Sequence, residues 1–270
     1  MVRARGGTPR TRGPLLLVAI AVFALGASCA EGGTPDAQAL VRATAQDLAT
    51  STIDATYSMT FDFAGETFTM EGEMAMDLRA SVGRMTIRMH GVPDVAADGQ
   101  LRVVIDGDNT YFHDPDLYGT SDWVRVSSDE AGVGDQVGTG PDLSAFLGYL
   151  NGARNVETIG AENIAGASTT HYTGDVDLER ASADTHTHTA SDAKDATERL
   201  TERVGEIDVS FDVWIDDTGT MRRMDLAFDP REGDGSFRAR VDVKKVGAKL
   251  DVHVPTEQEV VDLQDLERAP

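Results

Sequence analysis

The chain has 270 residues, 40% of them hydrophobic, with 46 Asp and Glu against 24 Lys and Arg and a formal net charge of −22. Such a charge repels nucleic-acid phosphates and anionic lipid headgroups alike, which disfavours nucleic acid as a partner and basic-patch attachment to membranes. Cys29 is the single cysteine, so an intrachain disulfide is excluded and stability must come from a core.

The first 28 residues contain no acid, and Arg3, Arg5, Arg10 and Arg12 make the start basic. Residues 15–25, LLLVAIAVFAL, are uncharged, but such a run is short of the roughly 20 residues a spanning helix needs. A basic segment, a short apolar run and small residues constitute an export signal. Gly26, Ala27 and Ser28 supply the small residues directly before Cys29. This arrangement resembles a bacterial lipobox, in which the cysteine takes a diacylglycerol and becomes the first mature residue. Gly26 stands where that motif has leucine, with Leu25 one position early. An ordinary secretory signal ending in Cys is the alternative. A catalytic thiol would need a folded electropositive pocket, whereas Cys29 precedes the Gly/Pro-containing EGGTPDAQ. The expected organisation is a lipoprotein signal peptide over 1–28, a tether over 29–35, one domain over 36–250 and a C-terminal tail over 251–270.

Asp36 caps an expected first helix whose Leu40, Val41, Thr44 and Leu48 share one face. The period then changes to 2. Tyr57, Met59, Phe61 and Phe63 alternate with polar residues, as do Phe68, Met70, Gly72, Met74, Met76 and Leu78, and then Met85, Ile87 and Met89. Strict alternation marks antiparallel strands with one apolar and one wet face. LRVVID (101–106) and NTYFHD (109–114) form a hairpin about Gly107 and Asp108, and DWVRVS (122–127) is a further strand. A Gly-rich loop over 129–141 precedes a short helix over 142–150 with Asp142 as its cap. NVETIGAEN and STTHYTGDVDL give the next strand pair, and the polar stretch 180–205 includes a surface helix. Residues 207–229 form a long hairpin about Asp217-Thr218-Gly219, with Phe211 and Val213 facing Met224 and Leu226. SFRARVDVKKV (236–246) is the last long strand.

The fold class is α+β, with about ten or eleven strands in consecutive hairpins and a few helices. A single sheet of that size must curl, and the helices must cover its apolar face. Tyr57, Met59, Phe61, Met70, Met74, Met76, Met85, Ile87, Met89, Phe211, Val213, Met224 and Leu226 are the candidate lining of that face, inferred from alternation. Six of the nine methionines lie on its first three strands. Methionine is flexible and polarisable and suits variable apolar partners. The stripe reads either as a Met-rich core or as a soft lining for acyl chains.

Several segments in order carry a resemblance: the cysteine-led N-terminus, the helix and long meander, THYTGDVDL (170–178) after a Gly-containing turn, and WIDDTGTMRRM (214–224). They resemble the actinobacterial LppX/LprG-type lipoproteins, over roughly residues 36–250. That family resembles the LolA-like carriers, whose sheet is a strongly bent half-barrel closed by helices around an apolar cavity. The resemblance implies non-covalent binding of a lipid or lipoglycan, transport across the cell envelope, and anchoring to the outer face of the cell membrane through lipid on Cys29. The loop SADTHTHTASD (182–192) is longer and more polar than the family pattern. A sensor module acting through a membrane protein is the rival reading, so a transporter or sensor in the membrane is a possible partner.

His186 and His188 could hold zinc with Asp184 or Asp192; a solvated loop is the simpler reading, and neither metal nor cofactor is expected. His171 is read as structural, and Asp216 and Asp217 as turn residues. Arg222 and Arg223 are a solvated strand end or a contact to an acidic headgroup. GxSxG, HExxH, Walker-A and GxGxxG patterns are all missing from the sequence, so no enzyme is expected.

Overall fold

A computed structural model describes residues 36–63, 65–91, 99–127, 143–183, 194–195, 197–198, 201–202, 205–232 and 235–267. The first helix, α1 (Ala37–Ala49), starts at Asp36, whose carboxylate accepts from the Gln38 N–H at 3.1 Å. Its buried side is Val41, Thr44, Ala45 and Leu48, as the spacing predicts. The strands follow as β1 (Thr52–Phe63), β2 (Glu66–Asp77), β3 (Val82–His90), β4 (Leu101–Asp106) and β5 (Asn109–His113). A single helical turn, α2 (Pro115–Tyr118), leads to β6 (Trp123–Ser127). Next come α3 (Leu143–Tyr149) with a 3-10 turn, then β7 (Ala153–Ile164), β8 (Ala167–Val176) and α4 (Leu178–Ala183). The chain finishes with β9 (Ile207–Asp216), β10 (Met221–Pro230), β11 (Gly235–Val246), β12 (Val260–Asp262) and α5 (Leu263–Glu267). Asp142, the expected cap of α3, lies outside the described residues.

All twelve strands join one curved, unclosed sheet in the order β12-β6-β5-β4-β3-β2-β1-β11-β10-β9-β8-β7. Every pairing is antiparallel except β12 with β6. The sequence pattern ends the domain at residue 250, but the structure draws residues beyond it into the sheet. Arg125 on β6 donates to Asp262 at 2.7 Å and to Glu257 at 2.7 Å, and the Trp123 N–H donates to the Glu259 carbonyl at 2.8 Å. Three residues are too few to display alternation, and their parallel partner is remote in sequence, so this strand leaves no local signature.

Register places the inward side chains in rows across the sheet. Phe68, Phe61, Phe237 and Phe228 stand directly opposite one another on β2, β1, β11 and β10. The next row is Met89, Met70, Met59, Ala239, Leu226 and Phe211, and the one after is Ile87, Gly72, Tyr57, Val241, Met224 and Val213. The expected methionine stripe is thus a two-dimensional field of cross-strand neighbours, which is how side chains stabilise a sheet.

Gly72 interrupts this field for a steric reason. The Tyr57 side chain crosses β2 at that point and donates its hydroxyl to the Thr86 carbonyl on β3 at 2.8 Å. A Cβ on residue 72 would sit 1.8 Å from that carbonyl oxygen and 2.8 Å from the Tyr57 hydroxyl. Burial raises the Tyr57 phenol well above its ordinary range, keeping it a neutral donor. One side chain therefore ties β1 to β3 across an intervening strand. Gly72→Ala should cost about 2–3 kcal/mol through overpacking, and Tyr57→Phe about 1 kcal/mol through the lost hydrogen bond. Chemical denaturation checks both. A neutral Gly72→Ala variant would mean that the strand crossing is not tightly packed.

Candidate functional site

The inner face of the sheet is the candidate site. Its residues alternate along long strands because each strand has one apolar face, and curvature turns those faces toward a shared interior. All thirteen lining candidates belong to or pack against one apolar cluster. Tyr57, Met59, Met74, Met76, Met85, Ile87, Phe211, Val213, Met224 and Leu226 are buried, while Phe61, Met70 and Met89 are half-buried. The structure thus brings the candidates together as a packed interior: Met59 is 7%, Met85 3% and Met74 2% exposed.

Burial changes along the strands. Phe61, Phe63, Phe68, Met70 and Met89 lie at the end where β1 runs into β2, where β3 leaves the sheet and where β10 turns into β11. On β1, β2 and β3 the apolar face is half-open there, although Phe228 and Phe237 of the same row are buried on β10 and β11, whereas Ile53, Ala55 and Met74 toward the opposite end are closed off. Stacked rings mark this rim: Phe61 lies 4.5 Å from Phe68 and 4.6 Å from Phe237, centroid to centroid. Phe146 and Tyr149 of α3 reach the same group, Tyr149 meeting Phe228 edge-on at 5.2 Å. Phe237 falls on the strand expected over 236–246, but its place beside these residues follows only from the pairing of β1 with β11. The contribution of α3 has no equivalent signal, because a short apolar helix does not announce where it docks.

Two side-chain polar atoms among the described residues are buried without a hydrogen-bond partner: Arg42 Nε and the Tyr118 hydroxyl. Tyr118 ends α2, just after β5, on the rim side of the sheet, with its ring 6.4 Å from that of Phe112. Burial pushes its phenol up to about 12, so it is a neutral donor. An unsatisfied donor beside an apolar face is suited to the polar end of a mostly apolar molecule. Sequence pattern offers no sign of it, since Tyr118 lies outside the alternating strands.

The outer face is polar and closely paired. His171 is held between Glu162 at 3.0 Å and Asp212 at 2.7 Å and stacks on Trp214 at 4.3 Å, and the Trp214 N–H donates to Glu162 at 2.9 Å. This agrees with the structural reading of His171. Among the described residues, no group of three or more His, Cys, Asp and Glu is arranged to hold a metal. Cys29, His186, His188, Asp184 and Asp192 lie outside the described residues. No helix among the described residues is long and apolar enough to cross a membrane.

No family model matches the chain, and no curated protein matches it in sequence. Likeness is found among solved structures. The crystal structure of LprF from Mycobacterium bovis has a TM-score of 0.50 at 13% identity, covering 83% of this chain and 97% of that one. That of the Mycobacterium tuberculosis lipoprotein LppX has a TM-score of 0.47 at 18% identity, covering 82% of this chain and all of the other, 100%. The likeness to LprF shows the fold, a curved and unclosed half-barrel, so the resemblance to LppX/LprG-type lipoproteins holds at the level of architecture.

The turn within WIDDTGTMRRM fixes one end of the half-barrel. Asp216 is 8% exposed. It accepts from the Thr218 N–H at 3.0 Å, the Thr218 hydroxyl at 2.6 Å, the Thr220 N–H at 2.9 Å and Arg222 Nε at 2.6 Å. Burial opposes its charge most strongly, yet these donors together outweigh it and hold the carboxyl below its ordinary 3.8. Arg222 is thereby committed to Asp216, and Arg223 to Asp242 at 2.7 Å with its guanidinium over Trp214. A depressed native pKa contributes stability that is present above the unfolded value and lost as pH falls through the native one. Asp216→Asn should lower stability at neutral pH by about 1–3 kcal/mol and should flatten the acid dependence below the ordinary carboxylate range. Denaturant midpoints from neutral pH down into acid measure both effects; an Asn variant with the parent acid dependence would assign it to other carboxylates.

Proposed function

We propose that the protein is a lipid-anchored envelope lipoprotein that binds the acyl chains of a lipid or glycolipid against its inner face and carries them across the envelope. The observation carrying this reading is the continuous apolar field, rich in adjacent methionines, closed at one end of the strands and half-open at the other. A filled interior of flexible thioethers can rearrange around a guest where a jigsaw of branched side chains would resist. Chains enter at the Phe61, Phe68 and Phe237 rim and displace Met70, Met59 and Met89 from one another. The Tyr118 hydroxyl then offers a hydrogen bond to the ester or headgroup. Each buried methylene contributes about 0.8 kcal/mol, so even part of one chain gives useful affinity with little discrimination between chains. The protein is a binding module with no chemistry of its own, and cargo identity is set at the rim. The fold of LprF and the name of LppX, a lipoprotein, are consistent with this reading.

The anchor is Cys29. Residues 1–28 are removed after export and residues 29–35 tether the half-barrel to the outer face of the cell membrane. The net charge left behind keeps the domain itself off anionic lipid. Two outcomes follow. Native mass spectrometry of the protein after exposure to a membrane-lipid extract should show added mass matching one lipid, reduced in Met70→Glu; a mass that never departs from apo contradicts the reading. Cys29→Ala should move the protein from the membrane fraction to the soluble extracytoplasmic fraction, and continued membrane retention contradicts the anchor.

A further inference from the structure

The outer face of the sheet has a depression that the lipid reading leaves unused. It measures about 490 Å³, within the range of small-molecule sites. It lies on the face opposite the methionines and spans β1, β11, β10 and β9, about 14 Å across at ordinary strand spacing. Ser58, Thr60, Ser210 and Ala227 form its floor. Register brings them together: Thr60, Arg238, Ala227 and Ser210 stand in one row, and Ser58, Arg240, Asp225 and Asp212 in the next. The hydroxyls of Ser58, Thr60 and Ser210 make no protein hydrogen bond among the described residues.

Long charged side chains rise around this small-residue floor, and each already has a hydrogen-bond partner. Arg240 clasps Asp225 with two hydrogen bonds of 2.7 and 2.5 Å, Arg238 holds Asp229 at 2.7 Å, and Asp212 meets His171 at 2.7 Å. The two arginines and two aspartates lining the depression sum to no net charge. An anionic ligand would have to break these pairs within a strongly acidic protein, and a cationic one would compete with the arginines. Leu226 and Ala239 also line the depression, but both are buried members of the inner-face rows, so Ala227 is the one apolar side chain of the outer face that an apolar ligand would meet there. What remains is a neutral molecule bearing many hydroxyls, each able to donate to a carboxylate and accept from a guanidinium or a Ser/Thr hydroxyl.

We propose that this depression binds a neutral saccharide, making the outer face a carbohydrate-contact surface separate from the lipid-binding inner face. Trp214, the outer-face aromatic closest in register, is covered by His171, so recognition is by hydrogen bonds alone and the affinity is low. The test titrates the purified protein with short neutral oligosaccharides and their sulfated counterparts, followed by saturation-transfer NMR and calorimetry. At least one neutral oligosaccharide should bind, and Ser210→Trp, which fills the floor from an exposed strand position, should weaken it about ten-fold with an unchanged melting temperature. Ser58→Trp, from the other side of the floor, should do the same. Absence of binding to every neutral oligosaccharide, a preference for the sulfated forms, or binding that survives both substitutions overturns the proposal. Lipid uptake by the same variants should match the parent, so failure of the saccharide site and failure of the lipid reading are distinguishable.

Discussion

A sheet of twelve strands that puts its apolar side chains on one face cannot stay flat in water. That constraint governs the rest of the molecule. With no disulfide available to the domain, the only way to remove the face from water is to bend it around itself and cover it with short helices. The bend makes the interior, and the interior is where any function dependent on exclusion of water must lie. The outer face is left free to be polar, and it is nearly a lattice of paired charges: Arg223 with Asp242, Arg240 with Asp225, Arg238 with Asp229, Lys244 with Glu73. Individually such exposed pairs are worth little; together they keep an acidic protein's largest surface soluble without strong local fields.

The two ends of the half-barrel differ. At one end, a buried carboxylate with four donors closes the β9–β10 turn, and Thr44 of α1 donates to the Gly219 carbonyl of that turn at 3.4 Å. At the other, aromatic rings and thioethers remain half-buried. Rigidity where the strands are pinned and softness where they open is the combination a carrier of flexible chains requires. The Tyr57 bond across Gly72 lies between these ends. It holds β1, β2 and β3 in one register, so that Met59, Met70 and Met89 stay neighbours even if they part to admit a guest.

Much of this was legible in the sequence because long strands write period 2 clearly. The faces of β1, β2, β3, β9 and β10 follow from residues 56–63, 68–78, 84–90 and 207–229, and the helix start at Asp36 follows from its cap. The adjacency of the methionines, as distinct from their shared face, depends on register, and the opposition of Phe61 to Phe237 depends on β1 pairing with a strand more than 170 positions away. No local pattern encodes that. Gly72 could be seen in the apolar row, but its reason is a tyrosine on another strand. The strand β12 was hidden by its brevity, and the Tyr118 donor by its place in a single turn of helix. Asp216 was legible as a turn residue; its burial was not, because the turn is covered by α1, which is distant in sequence. The outer depression was invisible for the same reason as the register: its lining is assembled from four strands that meet only in the fold.

The central claim is that acyl chains lie among the inner-face methionines. It is tested most directly by NMR of protein carrying isotope-labelled methionine methyl groups, titrated with a phospholipid that bears a spin label partway along its acyl chain. The account predicts that the Met59, Met70, Met85 and Met89 methyls broaden selectively and recover when unlabelled lipid displaces the probe. Methyl signals that remain sharp at saturating lipid, or that broaden uniformly as for surface collision, would contradict it.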